Sequence, residues 1–130
     1  MKAIILGAGL VGGPMAIDLA GDSRFEVTVT DRDQAALDAL NDRNDINRIR
    51  KDLSDPADVT SLVSEYDIVI NAVPGFMGYR TLKAIIEAKK DVIDIAFFPE
   101  DPFDLDPLAR EKGVTAIMDC GVAPGMSNIL

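Results

Sequence analysis

Short apolar runs rich in β-branched residues alternate with helix-like segments along the whole chain. Lys2–Leu6 (KAIIL), Phe25–Thr30 (FEVTVT), Ile46–Arg50, Asp67–Val73 (DIVINAV), Asp91–Ala96 and Val114–Asp119 read as strands. Leu10–Ala20, Asp33–Asn41, a stretch from Asp55-Pro56 to about Glu65, Arg80–Lys89 and a short segment opened by Asp106-Pro107 read as helices. An Asp followed by Pro suits a helix start, because Asp caps free N–H groups and Pro has none to satisfy. In Arg80–Lys89 the apolar Leu82, Ile85 and Ile86 share a face, and Lys89 and Lys90 stand where the helix dipole favours cations. Strands alternating with helices predict a parallel sheet covered on both faces. Such strands should be continuously apolar, as AIIL, DIVINAV and TAIM are. The expected architecture is α/β, a doubly wound parallel sheet of six strands in the order 3-2-1-4-5-6, forming one domain over residues 1–130. Met126–Leu130 reads as the beginning of a helix cut short, so a second domain is expected beyond this chain.

Composition narrows the chemistry. Thirteen basic residues against 22 acidic ones give a net charge of −9, which argues against nucleic-acid or anionic-membrane partners. There is no His and only Cys120, so His-based catalysis, zinc fingers and disulfide frameworks are excluded, and no metal site is expected. A single unpaired thiol fits a cytoplasmic location. The uncharged stretch Ala3–Ile17 resembles a signal peptide, but five Gly and Pro residues within it oppose a continuous apolar helix.

Those glycines have another use. Gly7-Ala8-Gly9-Leu10-Val11-Gly12 is G-x-G-x-x-G, between the first strand and the first helix. In Rossmann-type domains such a loop gives the tight turn at the first Gly, room for a pyrophosphate at the second, and close helix packing at the third. The helix N-terminus then offers N–H groups to the phosphates. An acid about 20 residues on completes the pattern, and Asp31 lies 19 residues after Gly12. Asp31 would accept from the adenosine ribose and repel a 2′-phosphate, which favours NAD over NADP. Arg32 could hold that phosphate or stack on adenine. Asp31 could instead cap the next helix, although Asp33 can do so. Asp52 follows the third strand and reads either as an acceptor for the adenine amino group or as a solvated acid. Ala72-Val73-Pro74-Gly75 lies at the crevice where strand order reverses and suits a passing cofactor, or is an ordinary turn.

Other features read as bland. Tyr79 and Lys83 have Y-x-x-x-K spacing, but the glycine pattern that accompanies a catalytic pair of that kind is absent, so they read as surface helix residues. Six acids between Asp91 and Asp106 (Asp91, Asp94, Glu100, Asp101, Asp104 and Asp106) read as caps and solvated loop, or as a funnel for a cationic substrate. Cys120 has no activating base and reads as a packing residue. The catalytic residues are not legible.

Asp119–Asn128 (DCGVAPGMSN) resembles the G-x-x-P-G-x-x-N/H segment of the saccharopine dehydrogenase-like family. Asn71–Tyr79 (NAVPGFMGY) and Ile95–Glu100 strengthen the likeness, which leans towards lysine 6-dehydrogenase. The resemblance implies that Leu10 and Val11 lie against the pyrophosphate with Gly7, Gly9 and Gly12. It places Asp31 at the ribose and Asp52 near the adenine, with Ala72, Val73 and Pro74 lining the path to the nicotinamide ribose. Ala96 and Phe97 would approach the nicotinamide, and Val122, Ala123 and Pro124 would form the other wall. Phe97 and Ala123 stand where saccharopine reductases have Tyr and Asp. The resemblance implies an NAD-dependent dehydrogenase that oxidises an amine of a lysine-like amino acid, with a homodimer formed through the second domain. The alternatives are an NADPH-dependent saccharopine or carboxynorspermidine-type reductase and a regulatory module sensing NADH or ATP. This chain by itself is expected not to turn over.

Overall fold

The computed structural model describes residues 1–96 and 98–118. Its strands are β1 (Lys2–Leu6), β2 (Glu26–Asp31), β3 (Ile46–Arg50), β4 (Ile68–Asn71), β5 (Asp91–Asp94) and β6 (Ala116–Ile117). They form one parallel sheet in the order β3-β2-β1-β4-β5-β6, the order expected from the sequence. The order reverses between β1 and β4, so the crevice for a ligand opens at the carboxyl ends of these strands.

The helices are α1 (Gly12–Ala20), α2 (Gln34–Asp38), α3 (Pro56–Val63), α4 (Gly75–Glu87) and α5 (Asp106–Lys112), with a 3-10 turn at Pro102–Leu105. Two cores lie on opposite faces of the sheet. Ile4, Leu6, Val69 and Val92 pack with Val59 and Val63 of α3 and Leu82, Ile85 and Ile86 of α4. Ile5, Val27, Val29 and Ile70 pack with Ala16 of α1 and Leu37 of α2. This alternation along β1 and β4 follows from the two-residue strand period.

Several boundaries differ from the sequence reading. α1 begins at Gly12 rather than Leu10, because residues 9–11 are spent on the turn. Pro14, in the first turn of α1, needs no N–H partner. α4 begins at Gly75, five residues before Arg80. Pro74, at φ −55° and ψ 147°, launches this helix, while the small residues of GFMG hide its period from a hydrophobic count. Pro56 opens α3 under an Asp55 cap as expected, the carboxylate accepting from Ala57 N at 2.9 Å. Asp106 does not cap α5; it is the first helical residue and pairs with Arg110 at 2.8 Å, while Asp101 caps the preceding 3-10 turn. Tyr79 is not a surface residue: it is half-buried, with its ring edge-to-face on Phe98 at 5.9 Å. Lys83 is exposed and reaches Glu87 at 4.0 Å. Among the described residues, no helix is long and apolar enough to cross a membrane.

Candidate nucleotide-binding site

The site is built from the last residues of the strands. Gly7 leaves β1 at φ +112°, where side chains are strained, and a Cβ there would stand 2.5 Å from the Ala72 carbonyl oxygen. A Cβ on Gly12 would collide with the Gly7 carbonyl oxygen, so the third glycine is needed for the turn to close. Gly9 is different. A Cβ there would meet none of the described residues within 4 Å, and its backbone is not left-handed. Neither packing nor conformation within the described residues requires glycine at this position. Open space at this position would let a pyrophosphate approach the backbone.

The N–H groups of Gly9, Leu10, Val11 and Gly12 have no acceptor among the described residues, and Val11 caps α1 without a side-chain bond. These are the free donors of a helix N-terminus, beside its positive dipole end. Leu10 is 99% exposed, so its side chain packs against none of the described residues.

Asp31, at the end of β2, ties the loop down. Its Oδ2 accepts from Ala8 N at 2.9 Å and its Oδ1 from Asp33 N at 2.8 Å. An ionised carboxylate has about four acceptor positions, so two backbone bonds leave room for ribose hydroxyls. Asp33 caps α2, as the sequence allowed, by accepting from Ala35 N at 2.9 Å. Asp52, after β3, accepts from Ser54 N at 2.9 Å. The Ser54 N–H, then the Ser54 hydroxyl, hold its carboxyl below the usual range, and the Arg32 charge adds a smaller push the same way.

A cleft of about 180 Å³ joins these groups. Complete small-molecule sites occupy ~300–1,000 Å³, so this cleft suits one end of a dinucleotide. Gly7, Asp31, Arg32, Asp52, Val73 and Pro74 of the expected residues line it. Gly9, Leu10, Val11 and Gly12 form the adjoining turn. Ala72 packs against the core beneath α1, with its Cβ towards Gly12. Ala96 lies further along the sheet, beside Gly78 of α4. Phe97, Val122, Ala123, Pro124 and Cys120 lie outside the described residues.

The sequence reading missed Thr30, Lys51, Leu53, Ser54, Phe76 and Met77 in the cleft wall. Phe76, 76% exposed, had a signal: an aromatic directly after the Pro-Gly turn at a strand end. The others needed three-dimensional proximity. Among the described residues, the titratable groups lining the cleft are Asp31, Arg32, Lys51 and Asp52, a set that suits binding rather than proton transfer.

One acid was misread. Asp94 is not solvated: it is fully buried at the end of β5. Its Oδ2 accepts from Asn71 Nδ2 at 2.8 Å and its Oδ1 from Ala96 N at 2.8 Å.

Comparison with known proteins agrees with this geometry. A family model described as the saccharopine dehydrogenase NADP binding domain matches residues 3–117. Saccharopine dehydrogenase [NADP(+), L-glutamate-forming] of Saccharomyces cerevisiae is 26% identical over 98% of this chain and 29% of its own length. The mitochondrial alpha-aminoadipic semialdehyde synthase of Rattus norvegicus is 26% identical over 99% of this chain and 14% of its own. An apo structure of the Saccharomyces cerevisiae saccharopine dehydrogenase superposes with a TM-score of 0.85 at 26% identity, covering 97% of this chain and 28% of that one. The chain thus spans less than a third of the length of each of these relatives.

Proposed function

The chain belongs to the saccharopine dehydrogenase NADP binding domain family, and we propose that it is the nucleotide-binding part of an oxidoreductase acting on an amine of a lysine-like amino acid. The observation that carries this reading is the turn at Gly9, where there is open space and where four N–H groups have no acceptor among the described residues. Gly9 to Gly12 would hold the pyrophosphate. Asp31 would hold the adenosine ribose and also fix the loop through Ala8 N. Asp52, Leu53 and Arg32 would enclose the adenine. The bound nicotinamide supplies a hydride acceptor for the carbon bearing the amine, chemistry that yields an imine and, with water, a semialdehyde and ammonia. The protein's part is to hold that ring in place and to exclude water.

We read the nucleotide as NAD, because a 2′-phosphate would stand against the Asp31 carboxylate. A second reading, NADP, is favoured by the family's description and by the yeast relative's name. It also has a physical basis here. Arg32 and Lys51 line the cleft, and Arg50 Nε donates to the Arg32 carbonyl at 3.1 Å, so three cations gather at the adenosine end.

In this reading the substrate-binding groups lie outside these residues, which match only 29% of the length of the Saccharomyces cerevisiae relative. The chain incubated with NAD and L-lysine, or with saccharopine, should therefore show no nicotinamide reduction. Turnover by these 130 residues would contradict that placement. Failure to bind any dinucleotide would contradict the reading as a whole.

A further inference from the structure

The row of residues at the ends of β2, β1, β4 and β5 is polar at three of its four positions, where the row before it (Val29, Ile5, Ile70 and Ile93) is apolar. Leu6 of β1 stands in register with Thr30 of β2 and Asn71 of β4, and Asn71 with Asp94 of β5. Asn71 and Asp94 are both fully buried. Burying a carboxylate and an amide at the strand ends costs free energy that an aliphatic pair would not. What these two hold is therefore informative.

Asn71 Nδ2 reaches Asp94 Oδ2 at 2.8 Å and the Gly78 carbonyl of α4 at 3.3 Å. Asp94 Oδ1 takes the N–H of Ala96, in the segment leaving β5. One pair thus ties together β4, α4 and the chain after β5. Gly78 completes the arrangement: a Cβ there would stand 2.7 Å from Phe98 Cδ1 and 3.0 Å from Ala96 Cβ. One side of the contact borders the cleft. Pro74 stands at the N-cap of α4, which carries Phe76 and Met77 of the cleft wall. The chain after β5 lies at the carboxyl end of the second half-sheet. A dinucleotide spanning the switch point puts one nucleoside over β1 to β3 and the other over β4 to β6. Asp31 marks the adenosine half, so Asn71 and Asp94 lie beneath the other half.

We propose that Asn71 and Asp94 form a buried latch that sets α4 against Ala96 and Phe98, and so positions the nicotinamide end of the cofactor independently of its adenosine end. This rests on the dinucleotide reading above. Asn71 and Asp94 are positioning residues: they act through the backbone of Ala96 and Gly78.

The test compares two ligands on the same chain. ADP-ribose reports the adenosine and pyrophosphate contacts alone, and NADH adds the nicotinamide. The protein has no Trp, so fluorescence of the bound reduced nicotinamide is free of tryptophan background. Asp94→Asn keeps the shape but cannot accept at both positions. Gly78→Ala leaves the hydrogen bonds intact and pushes on Phe98 and Ala96 from the other side. In both variants, ADP-ribose affinity should stay within about twofold of the parent, while the extra affinity for NADH falls at least about fivefold, of the order of one hydrogen bond. The bound-NADH emission should shift towards that of free NADH. Equal weakening of both ligands, or no change in either, would overturn the latch. So would a parent chain that binds ADP-ribose and NADH equally well. A parent chain that binds neither fails earlier, at the nucleotide reading itself. If Asp94→Asn does not fold, Gly78→Ala alone decides between these outcomes.

Discussion

Replacing Gly7 and Gly9 by alanine should have opposite effects, although both glycines belong to one motif. At Gly7 the new Cβ meets two penalties. A φ of +112° is strained for an L side chain, worth ~1–3 kcal/mol. The Ala72 carbonyl oxygen would be 2.5 Å away, and overpacking of this kind costs ~1–3 kcal/mol. Gly7→Ala should thus lose about 2–6 kcal/mol, a large share of a typical ~5–15 kcal/mol stability. At Gly9 the new Cβ meets none of the described residues within 4 Å, and no positive φ is involved. Gly9→Ala should leave stability unchanged or raise it by up to ~1 kcal/mol through the unfolded chain. Its effect should fall on binding. Loss of one charge-assisted hydrogen bond to a phosphate oxygen, ~1.5–3 kcal/mol, weakens ADP-ribose about tenfold to a hundredfold. Urea unfolding followed by far-ultraviolet circular dichroism gives the first quantity, and calorimetric titration gives the second. A Gly9→Ala chain that binds as well as the parent would refute a phosphate site at Gly9. A Gly7→Ala chain within about 0.5 kcal/mol of the parent would refute the account of the turn.

Asp31→Asn removes the charge facing a 2′-phosphate and one of two loop acceptors, so the ratio of NADH to NADPH affinity should fall about tenfold or more; an unchanged ratio would remove Asp31 as the selector. Ile85→Ala, at a fully buried position on α4, should cost ~2–5 kcal/mol in urea unfolding. Phe103→Ala, at a residue 80% exposed, should change the unfolding free energy by no more than ~0.5 kcal/mol. The Arg24 guanidinium bonds the Asp22 carboxylate and lowers its pKa from 3.8 to about 2. The folded pKa lies below the unfolded one, so this contribution is present near pH 4 and above and is lost as pH falls through about 2. A carbon-detected titration of Asp22 should show that midpoint, and Arg24→Ala should return it towards 3.8.

The sheet order was legible because β-branched runs alternate with capped helices, and a parallel α/β chain has few ways to wind. The tight turn after β1 was legible because Gly7 and Gly12 each answer a separate steric demand. Local competition set the limits. The start of α4 was hidden because Gly75, Phe76, Met77 and Gly78 carry no clean helical period, and the helix is set by Pro74 and by packing. Asp94 was read as solvated because its neighbours in sequence are acids in loops. Only the register of β4 with β5 brings Asn71 against it. The cleft wall drew on Lys51, Ser54 and Met77 for the same reason: strand ends far apart in sequence meet at one edge of the sheet.

Calorimetric titration of NADH, NADPH and ATP into this chain tests the central claim, that the crevice above Gly9 holds a dinucleotide. The account predicts saturable one-to-one binding of NADH, tighter than NADPH and clearly tighter than ATP. Tighter NADPH would keep the site and move selectivity from Asp31 to Arg32 and its neighbouring cations. Tighter ATP, or no heat from either dinucleotide, would contradict the claim.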